Sequence, residues 1–316
     1  MRIILITQGI SRVVMPLLSS GHEVIGILES MPRGFDASKK KPRLLGLLKK
    51  IYNLARKEDV FLPDFCRNRG IPYNFLWKGN SESVARWLRS LKPDLIVVFS
   101  MSQLLREEIL EIPRLGVINL HPSFLPEYRG PNPDFWQYHN MEMHPGVTVH
   151  YVDAGEDTGD IIYQERMLIP LGTKSPDRLN KLIGDLGVPL MLKALDAIAQ
   201  GHAPRVSQPA RSPTKRARNL KTEEYGRLID WERWPIEQIW HVLRGTELWL
   251  DAVPPPAGLF AGQRWSIKNY EKTSSSIGPT GTIGRHKKRR CIFVREGVIY
   301  IGIDFDFKRS ILRFFQ

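Results

Sequence analysis

Cysteine is nearly absent from this chain: Cys66 and Cys291 are the only two in 316 residues. Two thiols so far apart in sequence exclude a disulfide framework and a cysteine-built zinc site, and they suit a reducing compartment. Long apolar runs are missing too, and none approaches the ~18 residues that a bilayer-spanning helix needs. The opening run Ile3-Ile4-Leu5-Ile6 is too short for a secretory signal and has no small-residue cleavage site behind it. The expectation is a cytoplasmic protein with no membrane partner. Acidic residues are in deficit, with 33 Asp and Glu against 46 Lys and Arg, a net charge of +13. That excess is as compatible with a plain solvated surface as with an anionic partner, nucleic acid, a phosphorylated small molecule or acidic lipid, and does not choose among them. The first strand-to-helix turn, Gln8-Gly9-Ile10-Ser11, lacks the Gly-x-Gly-x-x-Gly dinucleotide fingerprint. No internal repeat is present.

What the chain does have is enough apolar residue for a sizeable core, 42%, and a length that suggests a large domain with a smaller one. Its first half alternates strand and helix patterns. Strands are expected at 2–7 and 22–28, with a helix at 11–18 between them. A helix at 81–91 carries Val84, Leu88 and Leu91 on one face, stopped by Lys92-Pro93, and leads into the continuous apolar run 94–99. Such a run marks a strand buried on both faces, and the alternation predicts an α/β fold with a Rossmann-like, mostly parallel sheet. Further strands are expected at 116–120 and 147–152, then a long helix over 175–199 broken near Gly187-Val188-Pro189. Leu44, Leu47, Leu48, Ile51 and Leu54 mark an amphipathic helix over 43–57.

Residues 203–226 have the basic, proline-containing composition of a linker. Beyond them a helix at 236–243 precedes short strand-like runs at 258–261, 265–270, 281–284, 291–294 and 298–303, the pattern of a small barrel or open β domain. The expected organisation is a catalytic domain at 1–202, a basic linker at 203–226 and a small β-rich C-terminal domain at 227–316.

The chemistry concentrates in two stretches. Val117-Ile118-Asn119-Leu120-His121-Pro122-Ser123-Phe124-Leu125-Pro126 ends a strand whose alternation places Asn119 and His121 on one side. Asp153-Ala154-Gly155-Glu156-Asp157-Thr158-Gly159-Asp160 follows a second strand and forms an acidic loop able to bend back toward the first. An Asn amide and a protonated His can both donate to a carbonyl oxygen that gains negative charge. A carboxylate can hold that imidazole charged and take a proton from an attacking amine. None of the three is a strong nucleophile in this arrangement, so direct acyl transfer between two bound substrates is the natural reaction. Asp153, Asp157 and Asp160 are spaced loosely like a calcium loop, but its Gly and Glu are misplaced, and no metal is expected.

Asn-x-His-x-Ser-x-Leu-Pro-x-x-x-Gly followed by Asp-x-Gly-x-Asp-Thr-Gly-Asp resembles the formyltransferases that use 10-formyltetrahydrofolate. These include glycinamide ribonucleotide transformylase, methionyl-tRNA formyltransferase and the sugar N-formyltransferases. The resemblance runs over residues 1–200, and the remainder is similar to the C-terminal extension of the last two. It implies Asn119, His121 and Asp157 as catalytic residues on a Rossmann-like fold. It also implies a folate site formed by the loops at 101–105 and 150–157, with Met101, Ser102, Leu104, Asp153 and Gly155 lining it.

Two amine acceptors compete. Gly130-Pro131-Asn132-Pro133 stands where the tRNA enzymes are expected to have a Gly-Ala-Ala-Pro-like stretch, and Phe135-Trp136 places an aromatic pair near the acceptor side. The segment Glu29-Ser30-Met31-Pro32-Arg33 is similar to that of the sugar enzymes. Arg33, Lys78 and Trp136 are therefore candidate contacts to a sugar nucleotide, whose diphosphate needs cationic donors. The run Arg285-His286-Lys287-Lys288-Arg289-Arg290 reads as an exposed hairpin turn. The expected acceptor is a nucleotide-linked amino sugar, as in polysaccharide biosynthesis, on an enzyme that by analogy is a homodimer. Methionyl-tRNA is the alternative, and a non-catalytic nucleic-acid-binding protein on the same fold is the third reading.

Overall fold

The computed structural model describes residues 1–32, 61–246 and 252–306. Its backbone contacts divide it into two compact units. Arg33 and the amphipathic pattern at 43–57 lie outside the described residues.

The first unit comprises Met1–Pro131, Gly146–Met167 and Asn180–Arg216. Seven strands form one sheet: β1 (Arg2–Thr7), β2 (Glu23–Ser30), β3 (Tyr73–Leu76), β4 (Leu95–Phe99), β5 (Val117–His121), β6 (Gly146–Tyr151) and β7 (Ile161–Arg166), in the order β3-β2-β1-β4-β5-β6-β7. The first five are parallel, β6 pairs antiparallel with β5, and β7 pairs antiparallel with β6 and so runs in the direction of the first five. The unbroken apolar sequences of β1 and β4 occupy the centre, where Ile3 to Ile6 and Leu95 to Val98 are all buried. The strand order reverses between β1 and β4, the switch at which open α/β sheets usually place ligands.

One face of this sheet carries the rows Ile4–Ile96–Val117 and Ile6–Val98–Asn119. The apolar members pack with Val84, Ala85 and Leu88 of helix Ser81–Leu91, as its spacing predicts. Asn119 and His121 extend those rows beyond the apolar part. On the other face, Leu120 touches Gly187, where a Cβ would approach Leu120 side-chain atoms at 3.2 Å. The break expected near Pro189 is a π-helical stretch, Asn180–Gly187, between helices Ser175–Leu179 and Val188–Ala199. Pro189 has no N–H to continue the ladder, so the backbone widens before it.

The second unit groups Asn132–Pro145 and Leu168–Leu179 with Ala217–Gln316. It contains an open antiparallel sheet ordered β8-β11-β10-β9, with strands Arg264–Lys272, Gly297–Asp304, Arg289–Val294 and Ile283–His286 respectively. Phe135, Ile236, Ile239, Val242, Ile292, Ile299 and Ile301 form its core. A buried polar group sits beside it: Arg178 pairs with Asp134 at 3.6 Å and donates to Gln137 Oε1 at 2.8 Å. The expected strand at 258–261 is instead a single 3₁₀ turn with Leu259 fully exposed, because no neighbouring strand takes up its backbone groups.

The basic run does form a hairpin turn. His286 pairs with Arg289, and both residues between them have left-handed backbone, Lys287 at φ 46° and Lys288 at φ 62°. Such two-residue turns suit Asn-Gly, since a β-carbon is crowded at positive φ. Lys288→Gly is expected to stabilise the protein by about 1 kcal/mol. A rise in apparent Tm with the hairpin otherwise intact checks this.

Candidate active site

The three polar residues converge on the open part of the first sheet face, entirely within the first unit. Because β6 runs antiparallel to β5, Asn119 lies opposite His150 and His121 opposite Thr148. Thr148 pins the loop at 122–131: its hydroxyl donates to Ser123 O at 2.8 Å and accepts from Leu125 N at 3.0 Å. Gly130 takes φ 125° in this loop, a conformation open mainly to glycine.

The sequence expectation placed Asp157 at a strand end beside that of β5. The structure corrects it. Tyr151, the last residue of β6, faces Ile118 near the start of β5, and Val152 N donates to Val117 O at 2.8 Å. The loop at 152–160 therefore begins at the opposite edge and folds back across the face. The return toward β5 agrees with the sequence expectation, but a run of alternating residues does not reveal strand direction, so the edge from which the loop starts is not legible there. The fold-back is tight: a Cβ on Gly159 would come within 2.0 Å of Tyr151 O.

Asp157 Oδ1 ends 3.6 Å from His121 Nδ1 and 3.7 Å from His150 Nε2, while its Oδ2 accepts Gly130 N at 2.9 Å. Its own backbone is left-handed, φ 55°, a conformation that costs a non-glycine residue about 1–2 kcal/mol and persists only where its surroundings fix it. His121 is buried, and its Nε2 faces Tyr128 O at 3.3 Å.

His150 was not singled out from sequence, although the β5–β6 register makes it a full member of the cluster. Burial pushes its pKa down from the ordinary 6.5 to about 4, outweighing the nearby Asp157 carboxylate. The ring is therefore neutral near pH 7. Its Nδ1 lies 2.8 Å from Tyr151 O, a carbonyl that can only accept, so the proton sits on Nδ1. Nε2 then presents a lone pair to Asn119 Nδ2 at 3.2 Å. One amide hydrogen of Asn119 is thereby engaged and the other left to donate. A signal was present: His150 alternates with Thr148 inward on a strand leading directly to the acidic loop.

The remaining expected residues are placed as follows. Met101, Leu105 and Val152 pack against one apolar cluster, and Leu104 stands 63% exposed at the end of β4. An apolar patch beside two irregular loops fits a flat aromatic ring. Ser102 N donates to Ser30 Oγ at 3.0 Å, and the Ser102 hydroxyl takes a hydrogen bond from Gln8. Asp153 Oδ1 accepts from Gly155 N at 3.0 Å and Thr158 Oγ1 at 2.6 Å, shaping the second loop. Lys78 is exposed in the turn after β3. Trp136 belongs to the second unit, where its indole N–H donates to Arg218 O at 2.7 Å, and Phe135 is wholly buried. Phe135 is thus committed to the core of that unit, whereas Trp136, on the same helix Pro133–His139, packs partly buried against that cluster. Among the described residues no group of three or more His, Cys, Asp or Glu is arranged to hold a metal ion, and no helix is long and apolar enough to cross a membrane.

An amide, two imidazoles and a carboxylate gathered on the face of a switch-point sheet define an acyl-transfer class of site. The sequence pattern described as formyl transferase matches residues 71–195. The methionyl-tRNA formyltransferase of Alkaliphilus oremlandii (strain OhILAs) is 30% identical over 288 residues, covering 91% of this chain and 85% of that one. That of Methylacidiphilum infernorum (isolate V4) is 38% identical over 154 residues, where the match spans 49% of this chain and about half of the relative, 47%. The chain belongs to the formyl transferase family, the enzymes that use 10-formyltetrahydrofolate. In fold it is similar to the Helicobacter canadensis N-formyltransferase solved with folinic acid and dTDP-3-aminofucose, with 16% identity, 96% and 99% of the chains covered and a TM-score of 0.58.

The depressed His150 pKa carries a consequence for stability. Between pH 6.5 and 4 the unfolded chain binds a proton at this histidine that the folded chain refuses, so stability falls as pH falls through that window, by about 3 kcal/mol at pH 4. His150→Gln cannot titrate and is expected to lack this component. Apparent Tm measured across pH 4–7 for both proteins checks it; parallel curves would show that the ring is not held neutral.

Proposed function

We propose that this protein transfers the formyl group of 10-formyltetrahydrofolate to a primary amine, with Asn119, His121 and Asp157 as its catalytic residues. The observation that carries the reading is the convergence of these side chains, two from strand β5 and one from the loop at 152–160, onto one patch. The bound folate supplies an activated formyl carbonyl. Asn119 offers the Nδ2 hydrogen that His150 leaves unused, and His121 offers its Nε2–H, held otherwise only by a long contact to Tyr128 O. Both donate to the carbonyl oxygen as charge collects there. Asp157 steadies the His121 imidazole and accepts the proton that the amine sheds as its nitrogen bonds to the formyl carbon; when the bond from that carbon to N10 breaks, the proton passes to N10 and tetrahydrofolate leaves. Met101, Leu104 and the backbone around Ser102, Asp153 and Gly155 would seat the folate ring. Much of the acceleration comes from holding donor and amine in register.

For the acceptor, methionyl-tRNA is better supported than an amino sugar, reversing the order expected from sequence. One relative named for that reaction, at 30% identity, matches along 91% of the chain. Of the aromatic pair that favoured a sugar nucleotide, Phe135 is committed to a core and Trp136 packs partly buried against it. The C-terminal unit exposes Arg285, Lys287, Lys288, Arg289 and Arg290 along one hairpin, a surface suited to phosphates. An amino-sugar nucleotide remains the second reading because Gly130-Pro131-Asn132-Pro133 departs from the stretch expected in tRNA enzymes.

A formylation assay with methionylated initiator tRNA beside a panel of nucleotide-linked amino sugars decides between them. Turnover of the tRNA, weakening steeply with added salt, is the expected result, whereas turnover of a sugar nucleotide alone selects the second reading. Asn119→Ala and His121→Ala should each lower kcat on the order of 10²–10³-fold. Wild-type turnover in either variant would remove the assigned role.

A further inference from the structure

The stretch at 203–216, linker-like in composition, is held against both loops of the candidate site. Tyr128 N donates to Thr214 Oγ1 at 2.7 Å on the first loop. Val206 and Ile161 exchange backbone hydrogen bonds at 2.8 and 3.0 Å just beyond the second, and Ser207 donates to Asp160 at 3.2 Å. At the centre of this strap is Gln208. Its Nε2 donates to Asp157 O at 3.1 Å and to Gly159 O at 2.7 Å, so both amide hydrogens go to the second loop. Its Oε1 accepts from Arg129 of the first loop, Nε at 3.3 Å and a terminal nitrogen at 2.8 Å. Arg129 is itself buried and spends its other donors on Pro209 O at 2.9 Å and Ala210 O at 3.3 Å.

These bonds close a ring. Arg129 is joined covalently to Gly130, Gly130 N donates to the Asp157 carboxylate, Asp157 O accepts from Gln208, and Gln208 accepts from Arg129. Asp157 is thereby gripped at backbone and side chain together, with Oδ1 left facing the imidazoles. We infer that Gln208, seated by Arg129, is a positioning residue for the reaction: it sets the separation between the Asp157 carboxylate and His121. The inference rests on the roles given to Asp157 and His121 under the proposed function. The carboxamide suits this task because it donates twice and accepts twice within one plane, and two carbonyls can be held only by donors. The strap keeps its contacts through Thr214, Val206 and Ser207 without Gln208, so altering that one side chain isolates the ring from the docking of the segment.

Two variants test this. Gln208→Glu keeps the size and the acceptor toward Arg129 but turns a carboxylate oxygen on the two carbonyls. Gln208→Met removes donors and acceptor alike. Rates are expressed per mole of 5-formyltetrahydrofolate binding sites, so that loss of folded protein does not count. Both variants are expected to lose about 100-fold in kcat, with KM for donor and acceptor within about threefold of wild type. Crystal structures of both should show Asp157 Oδ1 moved away from His121 Nδ1. Unchanged kcat per site, a loss confined to KM, or a carboxylate still in its wild-type place in both variants would overturn the inference. Should wild type formylate none of the amines, the proposed function fails by itself, and the carboxylate's position in the variant crystals alone decides the role of Gln208.

Discussion

The reversal of strand direction between β5 and β6 is the constraint on which the active face depends. Parallel neighbours would have sent the chain after β6 off the same edge as the chain after β5. The antiparallel pair instead sets His150 across from Asn119 and Thr148 across from His121, one to orient the amide and the other to anchor a loop. It also obliges the acidic loop to travel back over the sheet. Asp157 thus reaches the imidazoles from above the face, on backbone that an L-residue adopts only when held.

The polarity of the site follows from where the apolar rows stop. Ile4, Ile96 and Val117 make one hydrophobic row, and in the next row Ile6 and Val98 are followed by Asn119. The same rigid packing that builds the core therefore fixes the donor geometry, with no flexible element between them. The neutral state of His150 belongs to this logic. Charging it would bury a cation at a desolvation cost that the Asp157 carboxylate does not offset, and would reverse the hydrogen bond that orients Asn119, so low dielectric and function favour the same protonation state.

Much of this was legible in sequence. The apolar runs of β1 and β4, the helix at 81–91 and the strand ending Asn119-Leu120-His121 lie where periodicity places them, because buried parallel strands and amphipathic helices leave strong local patterns. The three polar residues of the motif do meet. What local pattern could not carry was pairing direction, and with it His150 and the edge from which the acidic loop begins its return. An aromatic pair at a helix start looks the same in sequence whether it faces a ligand or a core, and only the structure separates the buried Phe135 from the partly buried Trp136. Gln208 escaped notice for a different reason. Its surroundings are prolines and arginines, and nothing in composition separates a tether from a strap.

The second unit is assembled from three separate stretches of chain, and its core includes Phe135, drawn from between two strands of the first sheet. It is consequently not a cassette. Cutting the polypeptide after the strap would strip Phe135 of the partners that cover it, and grafting the tail onto another chain would leave a hole where that phenylalanine belongs. Any change of specificity that worked by exchanging the tail would have to exchange residues 132–145 and 168–179 with it.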